Sequence, residues 1–233
     1  VGIIYAASAY ESKNQDSQIE ENASYLMNYL FLDAITSGRV FFQERSDLKN
    51  RVDFIGVNYY TRTVISRTQP VDFGILSLEW TIADGYGYNC PAGGFSRDSR
   101  PVSDFGWETY PEGLLKVLRS IYDRYKVPLI VTENGIADFR DWLRPYYLVG
   151  HMYATQKAIS EGVKVLGYLH WSIVDNYEWA RGYHMRFGLA ETDYETKQLI
   201  PRPSMFIFKE IVKDNGCEKF YRYLKSPYDI WRI

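Results

Sequence analysis

The sequence predicts an α/β protein built on a parallel sheet, and three observations predict it. Four short apolar runs of strand type alternate with four stretches whose apolar residues recur at helical spacing. In the run 127–133, Leu129, Ile130 and Val131 are consecutive, so both faces of that strand should be buried, as in a sheet covered by helices. Apolar runs also end abruptly in polar or acidic groups, the end at which such folds bind ligands. A closed barrel of this class needs eight strands, so four strand–helix units make an open half with two exposed sheet edges.

The elements follow in order. Residues 1–6 form a short apolar strand. Ser17 and Glu20 fit a capping box, which opens a helix with Ile19, Ala23, Leu26, Leu30 and Ala34 on one face and Gly38 as its stop. Residues 51–60 are the second strand and end in Asn58-Tyr59-Tyr60. The segment 61–105 lacks periodicity and is rich in Gly. A loop of that length is either functional, holds small elements of its own or is a poorly ordered insertion. Pro111 suits the first turn of a second helix, whose stripe is Leu114, Leu118, Ile121 and Tyr125. The strand ending at Glu133 follows, then a helix over about 146–160 stopped by Gly162. A strand over 163–171 leads into a long loop, and a last helix over 204–213 is closed by Gly216.

Composition narrows the function. With 46% apolar and 24% charged residues among 233, the chain is globular, in one domain spanning 1–233. A net charge of −2 without a basic run argues against nucleic acid as a partner. No run of about 18 apolar residues exists to span a membrane. The amino end lacks a starting Met and the charged region of a signal peptide, and reads as a strand entered in mid-protein. Cys90 and Cys217 are far apart and outside CxxC spacing, against a disulfide framework or zinc site and in keeping with a reducing, cytoplasmic compartment. His151, His170 and His184 fall on a helix, a strand and a loop and form no metal set; His170 reads as a satisfied core group. No GxGxxG, GxSxG or phosphate loop is present. Aromatic residues reach 17%, with 21 Tyr and 6 Trp, a composition that suits sugar or base sites as well as cores.

Three strand ends carry related chemistry. One presents Asn58 and Tyr60, one Glu133, and one Trp171 with Glu178 and Trp179 on the loop beyond. On parallel neighbours these groups converge. Acids and amides grip hydroxyls while indole faces take the apolar face of a sugar ring, so the set suits a neutral polyhydroxylated ligand. Each residue singly admits a structural reading: Tyr59 and Tyr60 suit a strand by propensity, Trp171 a core, and Glu133 and Glu178 solvated turns.

Ile130-Val131-Thr132-Glu133-Asn134-Gly135 resembles the nucleophile motif of glycoside hydrolase family 1, the retaining β-glucosidases and β-galactosidases. Asp53-Phe54-Ile55-Gly56-Val57-Asn58-Tyr59-Tyr60-Thr61 resembles its sixth barrel strand, and Phe105-Gly106-Trp107-Glu108 through Gly113 the entry to its sixth helix. His170-Trp171-Ser172, Asp175 to Trp179 and Met185-Arg186-Phe187-Gly188 resemble its eighth strand and following loop. Order and spacing agree from Val1 to about Gly216, with archaeal, thermophilic β-glycosidases in particular. The resemblance implies a TIM (β/α)8 barrel of which this chain supplies about strands 5–8, with 61–105 a long βα-loop on the active-site face. It implies Glu133 as nucleophile, Tyr60 as its hydrogen-bond donor, and Asn58 as an ordering group. Glu178 and Trp179 would bind hydroxyls of the non-reducing sugar, with Trp171 as the platform beneath. Trp107 would lie toward the leaving group, and Met185 and Phe187 would shape the pocket. It implies a β-glycoside or oligosaccharide substrate, no cofactor or metal, and a homo-oligomer. The family's acid/base lies in an Asn-Glu-Pro motif after its fourth strand, and this chain contains no Asn-Glu dipeptide. A companion amino-terminal half is therefore expected to supply that Glu. The alternative expectation is a non-catalytic sugar-binding or structural fragment.

Overall fold

The computed structural model describes residues 1–74 and 76–223. Along the chain, β1 (Gly2–Ala6) and β2 (Tyr10–Ser12) precede α1 (Ser17–Ser24), which runs through a π-helical turn (Tyr25–Tyr29) into α2 (Leu30–Ser37). β3 (Phe54–Asn58) leads to a hairpin of β4 (Thr63–Phe73) and β5 (Leu76–Ile82). Then come α3 (Pro111–Tyr125), β6 (Leu129–Glu133), α4 (Arg144–Ser160), β7 (Val165–Tyr168), an antiparallel pair β8 (Ala190–Thr192) and β9 (Leu199–Pro201), and α5 (Pro203–Asp214).

The four strands β1, β3, β6 and β7 form one parallel sheet in that spatial order. Their registers place Ala6 beside Asn58 and Asn58 beside Glu133, so the polar strand ends lie side by side. Side chains alternate across the sheet. Ile55, Val57, Leu129 and Val131 point to the helices and pack with Leu114, Leu118 and Ile121 of α3 and Ala154 and Ala158 of α4. All are fully buried. Full burial of each larger aliphatic side chain stabilises the layer by about 1.5–3 kcal/mol. Arg124 and Tyr125 at the end of α3 bond Asp33 of α2 at 2.7 and 2.8 Å, which ties neighbouring helices together.

Both outer strands keep an open edge among the described residues. Ile4 of β1 is 58% exposed, and Leu166 and Leu169 at β7 are each 57% exposed. Beside β7 runs a groove of about 550 Å³ lined by Met152, Ile159, Leu166, Phe208 and Val212.

Several local expectations change. The first helix is capped by Asp16, whose carboxylate accepts from the Ile19 N–H; Ser17 is its first residue, and Glu20 instead accepts from the Ser12 N–H at 2.6 Å. Its apolar stripe holds only through Ala23. The π turn inserts one extra residue and rotates the buried face, so Asn28, Leu32 and Asp33 go inside in place of Leu26, Leu30 and Ala34. Asn28 uses that position to hold both backbone groups of Ser8, just past β1. The segment 61–105 carries the β4–β5 hairpin, with β4 also pairing to β2. α4 begins at Arg144, because the Asp138 carboxylate accepts from the Leu143 and Arg144 N–H groups and Pro145 occupies the first turn. Regular strand β7 is shorter than 163–171, although Leu169 still donates to the Val131 carbonyl at 2.8 Å. α5 is closed by Asn215 in the left-handed region, φ 51°, one residue before Gly216.

Candidate active site

Glu133 is the last residue of β6, and Tyr60 lies two residues past the end of β3. The Tyr60 hydroxyl donates to the Glu133 carboxylate at 2.6 Å, and the Tyr59 N–H donates to the Glu133 carbonyl at 2.9 Å. Burial, then the bond to Glu133, push the Tyr60 phenol far above its ordinary value, so it remains a donor. Asn58 accepts from the Thr132 hydroxyl at 2.7 Å, which fixes its amide beside the same strand end.

An aromatic wall stands over this pair. The Trp107 ring lies 5.2 Å from Tyr60 and 6.0 Å from Phe187, and Phe187 meets Tyr60 edge-on at 6.1 Å. Phe105 and Tyr88 back Trp107 at 4.2 and 5.2 Å. Trp107 owes its place to its neighbour Glu108, which is 1% exposed. Glu108 accepts from Arg62 at 2.7 and 2.9 Å, from Ser96 at 2.6 Å and from the Gly87 N–H at 3.1 Å. Arg62 also pairs with Glu11 at 2.8 Å. A buried charge needs such full pairing, so the long segment is tied to the foot of the site. Phe187 is placed in a similar way: Asp175 accepts from the Gly188 N–H at 2.8 Å and from Arg202 at 2.9 and 3.0 Å.

On the far side, the Trp171 indole N–H donates to Glu178 at 3.1 Å. Burial raises the Glu178 carboxyl; the Trp171 bond opposes this, and the Glu133 charge adds to it. The structure thus gathers Tyr60, Glu133, Trp107 and Phe187, and joins Trp171 to Glu178. Trp179 directly follows Glu178 and opens a short 3-10 turn, with its indole 84% exposed. Met185 is half-buried on the loop leading to Phe187.

The residues after Glu133 depart from a solvated turn. Asn134 is fully buried. At Gly135 a Cβ would sit 1.6 Å from the Trp171 carbonyl oxygen, so the two strand exits touch backbone to backbone there. Gly135→Ala is expected to destabilise the fold by about 3 kcal/mol, as overpacking of a rigid contact does, read as a lower urea midpoint with an unchanged slope.

Among the described residues, no group of three or more His, Cys, Asp or Glu is placed to hold a metal. His151 stacks on Tyr147 at 3.8 Å, with Nδ1 2.7 Å from the Tyr147 carbonyl. His170 is core, as expected, but not satisfied. It packs 5.8 Å from Phe208, and neither ring nitrogen has a hydrogen-bond partner among the described residues. Burial pushes both imidazoles down to about 3. The ion-pair roles of Arg62, Glu108 and Asp175 are not legible in the sequence, because their partners lie 46, 46 and 27 residues away with no local pattern linking them.

The sequence pattern of the family described as Glycosyl hydrolase family 1 matches residues 4–217. The chain belongs to glycosyl hydrolase family 1. The family folds as a TIM barrel, in accord with the parallel strand order here. The β-galactosidase of Sulfolobus acidocaldarius is 48% identical over 228 residues, covering 96% of this chain and 45% of its own length. That of Saccharolobus solfataricus is 46% identical over 231 residues, covering 97% and 46%. Among solved structures, Fpglu1 of Fervidobacterium pennivoraus superposes with a TM-score of 0.90 at 49% identity, over 100% of this chain and 47% of that one. The β-glycosidase of the hyperthermophile Thermosphaera aggregans gives 0.86 at 43% identity, over 95% and 45%. This family 1 chain spans about half the length of the relatives it matches.

Proposed function

We propose that this chain is the nucleophile-bearing half of a retaining exo-β-glycosidase acting on terminal β-D-glucosyl or galactosyl residues. The observation that carries the reading is the Tyr60–Glu133 bond at 2.6 Å, made between adjacent parallel strand ends in a family 1 chain. Glu133 attacks the anomeric carbon and forms a glycosyl ester as the leaving oxygen takes a proton from a second carboxyl. That carboxyl then deprotonates the water that cleaves the ester. Retention needs the two carboxyls about 5–5.5 Å apart. Glu178, the other acid near Glu133, is engaged by Trp171 and is assigned to sugar hydroxyls with Trp179, while Trp171 forms the platform. Asn58 orders the site, Trp107 faces the leaving group, and Phe187 and Met185 shape the pocket, with 61–105 arching over this face.

The acid/base comes from a companion half that pairs with the open edges of β1 and β7, which makes the sheet here strands 5–8 of the closed barrel. The exposed Ile4, Leu166 and Leu169 support that pairing. Relatives whose names state β-galactosidase or β-glucosidase support the substrate class. A solved relative described as a β-glucosidase mutant derived from a hyperthermophilic tetrameric structure supports a homo-oligomer. The free thiols Cys90 and Cys217 fit a cytoplasmic setting.

The test is incubation of the complete assembly with a 2-deoxy-2-fluoro aryl β-glycoside, followed by peptide mass spectrometry. A fluoroglycosyl adduct on Glu133 is expected, and its absence overturns the assignment. This chain alone should turn over aryl glycosides negligibly; robust turnover by the pure chain overturns the divided site.

A further inference from the structure

We infer that Tyr147 and Asn134 are positioning residues that together set the separation of Tyr60 and Glu133, through a ring of hydrogen bonds behind the candidate nucleophile. The inference rests on the reading of Glu133 as nucleophile. Asn134 directly follows Glu133, and Tyr147 projects from the first turn of α4; their exposures are 0% and 2%. The Asn134 amide donates to the Tyr59 carbonyl at 2.7 Å and to the Tyr147 hydroxyl at 2.9 Å. Its oxygen accepts from the Tyr168 hydroxyl at 2.6 Å, so every polar atom of the side chain is engaged. The Tyr147 hydroxyl in turn donates to the Tyr60 carbonyl at 2.9 Å.

These bonds close a loop. It runs from the Tyr60 hydroxyl to the Glu133 carboxylate, along the backbone to Asn134, through the Tyr147 hydroxyl and back to the Tyr60 carbonyl. Side chains meet on the front of the pair, and main chains are pinned on the back. The Tyr147 ring is itself immobilised by the His151 stack at 3.8 Å. Such support matters because an attacking group must be held within about 0.5 Å of its productive position. A displacement of about 1 Å costs on the order of 100-fold in rate. Asn134 and Tyr147 are buried behind the pair and act through Tyr60 and Glu133.

Tyr147→Phe keeps the ring and the His151 stack and removes only the bridging hydroxyl. In the complete assembly, the rate of fluoroglycosyl labelling should fall about 10-fold, with kcat falling alike and KM changing less than about twofold. Tyr125→Phe is the control. It deletes another part-buried hydroxyl, bonded to Asp33 and remote from the site, and should label at the wild-type rate. Labelling of Tyr147→Phe at the wild-type rate, or a loss no larger than that of Tyr125→Phe, overturns the inference. If the wild type itself is not labelled, the glycosidase reading fails, and the crystal structure of Tyr147→Phe decides the positioning claim. A Tyr60–Glu133 contact lengthened beyond hydrogen-bond reach supports it, and one unchanged from 2.6 Å overturns it.

Discussion

With Glu133 replaced by alanine, glycoside hydrolysis by the complete assembly falls by at least about 10⁴-fold, the scale on which loss of a covalent nucleophile acts. The same variant regains turnover when azide is added with an activated aryl β-glycoside. Azide enters the space vacated by the carboxylate and attacks the anomeric carbon from the face Glu133 occupied. The C–N bond forms as the bond to the aryl oxygen breaks, and the product is the α-glycosyl azide. Its configuration, read by NMR, carries the assignment. A β-azide would mean that attack came from the acid/base side, and no rescue at all would mean that Glu133 is not the nucleophile. Glu133→Gln should be as inactive yet keep its bond to Tyr60, because the amide oxygen still accepts from the phenol at the position now 2.6 Å away.

The second large effect is on stability in acid, and both groups that set it lie on this chain. His151 and His170 are buried neutral, with burial pushing each down to about 3 from an ordinary value near 6.5. An unfolded chain binds their protons below about 6.5, and the folded chain binds them only near 3. Stability is therefore full above about 6.5 and is lost as pH falls through that window. Two such groups give a slope of about 2.7 kcal/mol per pH unit. That slope exhausts a typical domain stability of about 5–15 kcal/mol within a few units. Glu11, held below the ordinary carboxylate range by Lys116 and Arg62 against the cost of burial, adds a further loss below about 4. Glu178, raised instead, works in the opposite sense. Urea midpoints should fall steeply between pH 6 and 4, and His151→Gln should halve the slope. A midpoint that stays level across that range would contradict the buried, neutral imidazoles.

The sheet and its covering helices were legible because their signals are local. Leu129 and Val131 and the stripe Leu114, Leu118 and Ile121 need only burial to be understood and are fully buried, while Ile130, on the opposite face of its strand, is half-buried. The polar strand ends were legible for the same reason, since parallel pairing puts Asn58 beside Glu133. What escaped was non-local or one residue off period. The π turn at Tyr25–Tyr29 carries no sequence flag, yet it turns Leu30 and Ala34 away from the core and Asn28 toward Ser8. The Arg62–Glu108 pair spans 46 residues of chain.

The two open sheet edges have a consequence in mass action. Any chain that pairs with β1 and β7 in the folded state only, and not with the unfolded chain, adds RT ln(1 + [L]/Kd) to the stability, about 1.4 kcal/mol for each tenfold excess over Kd. Under the proposed division, the folding of this half and the assembly of the barrel form one linked equilibrium. Its thermal midpoint rises with companion concentration, and the fraction of chain carrying an ordered Glu133 is set by stoichiometry as much as by its own core.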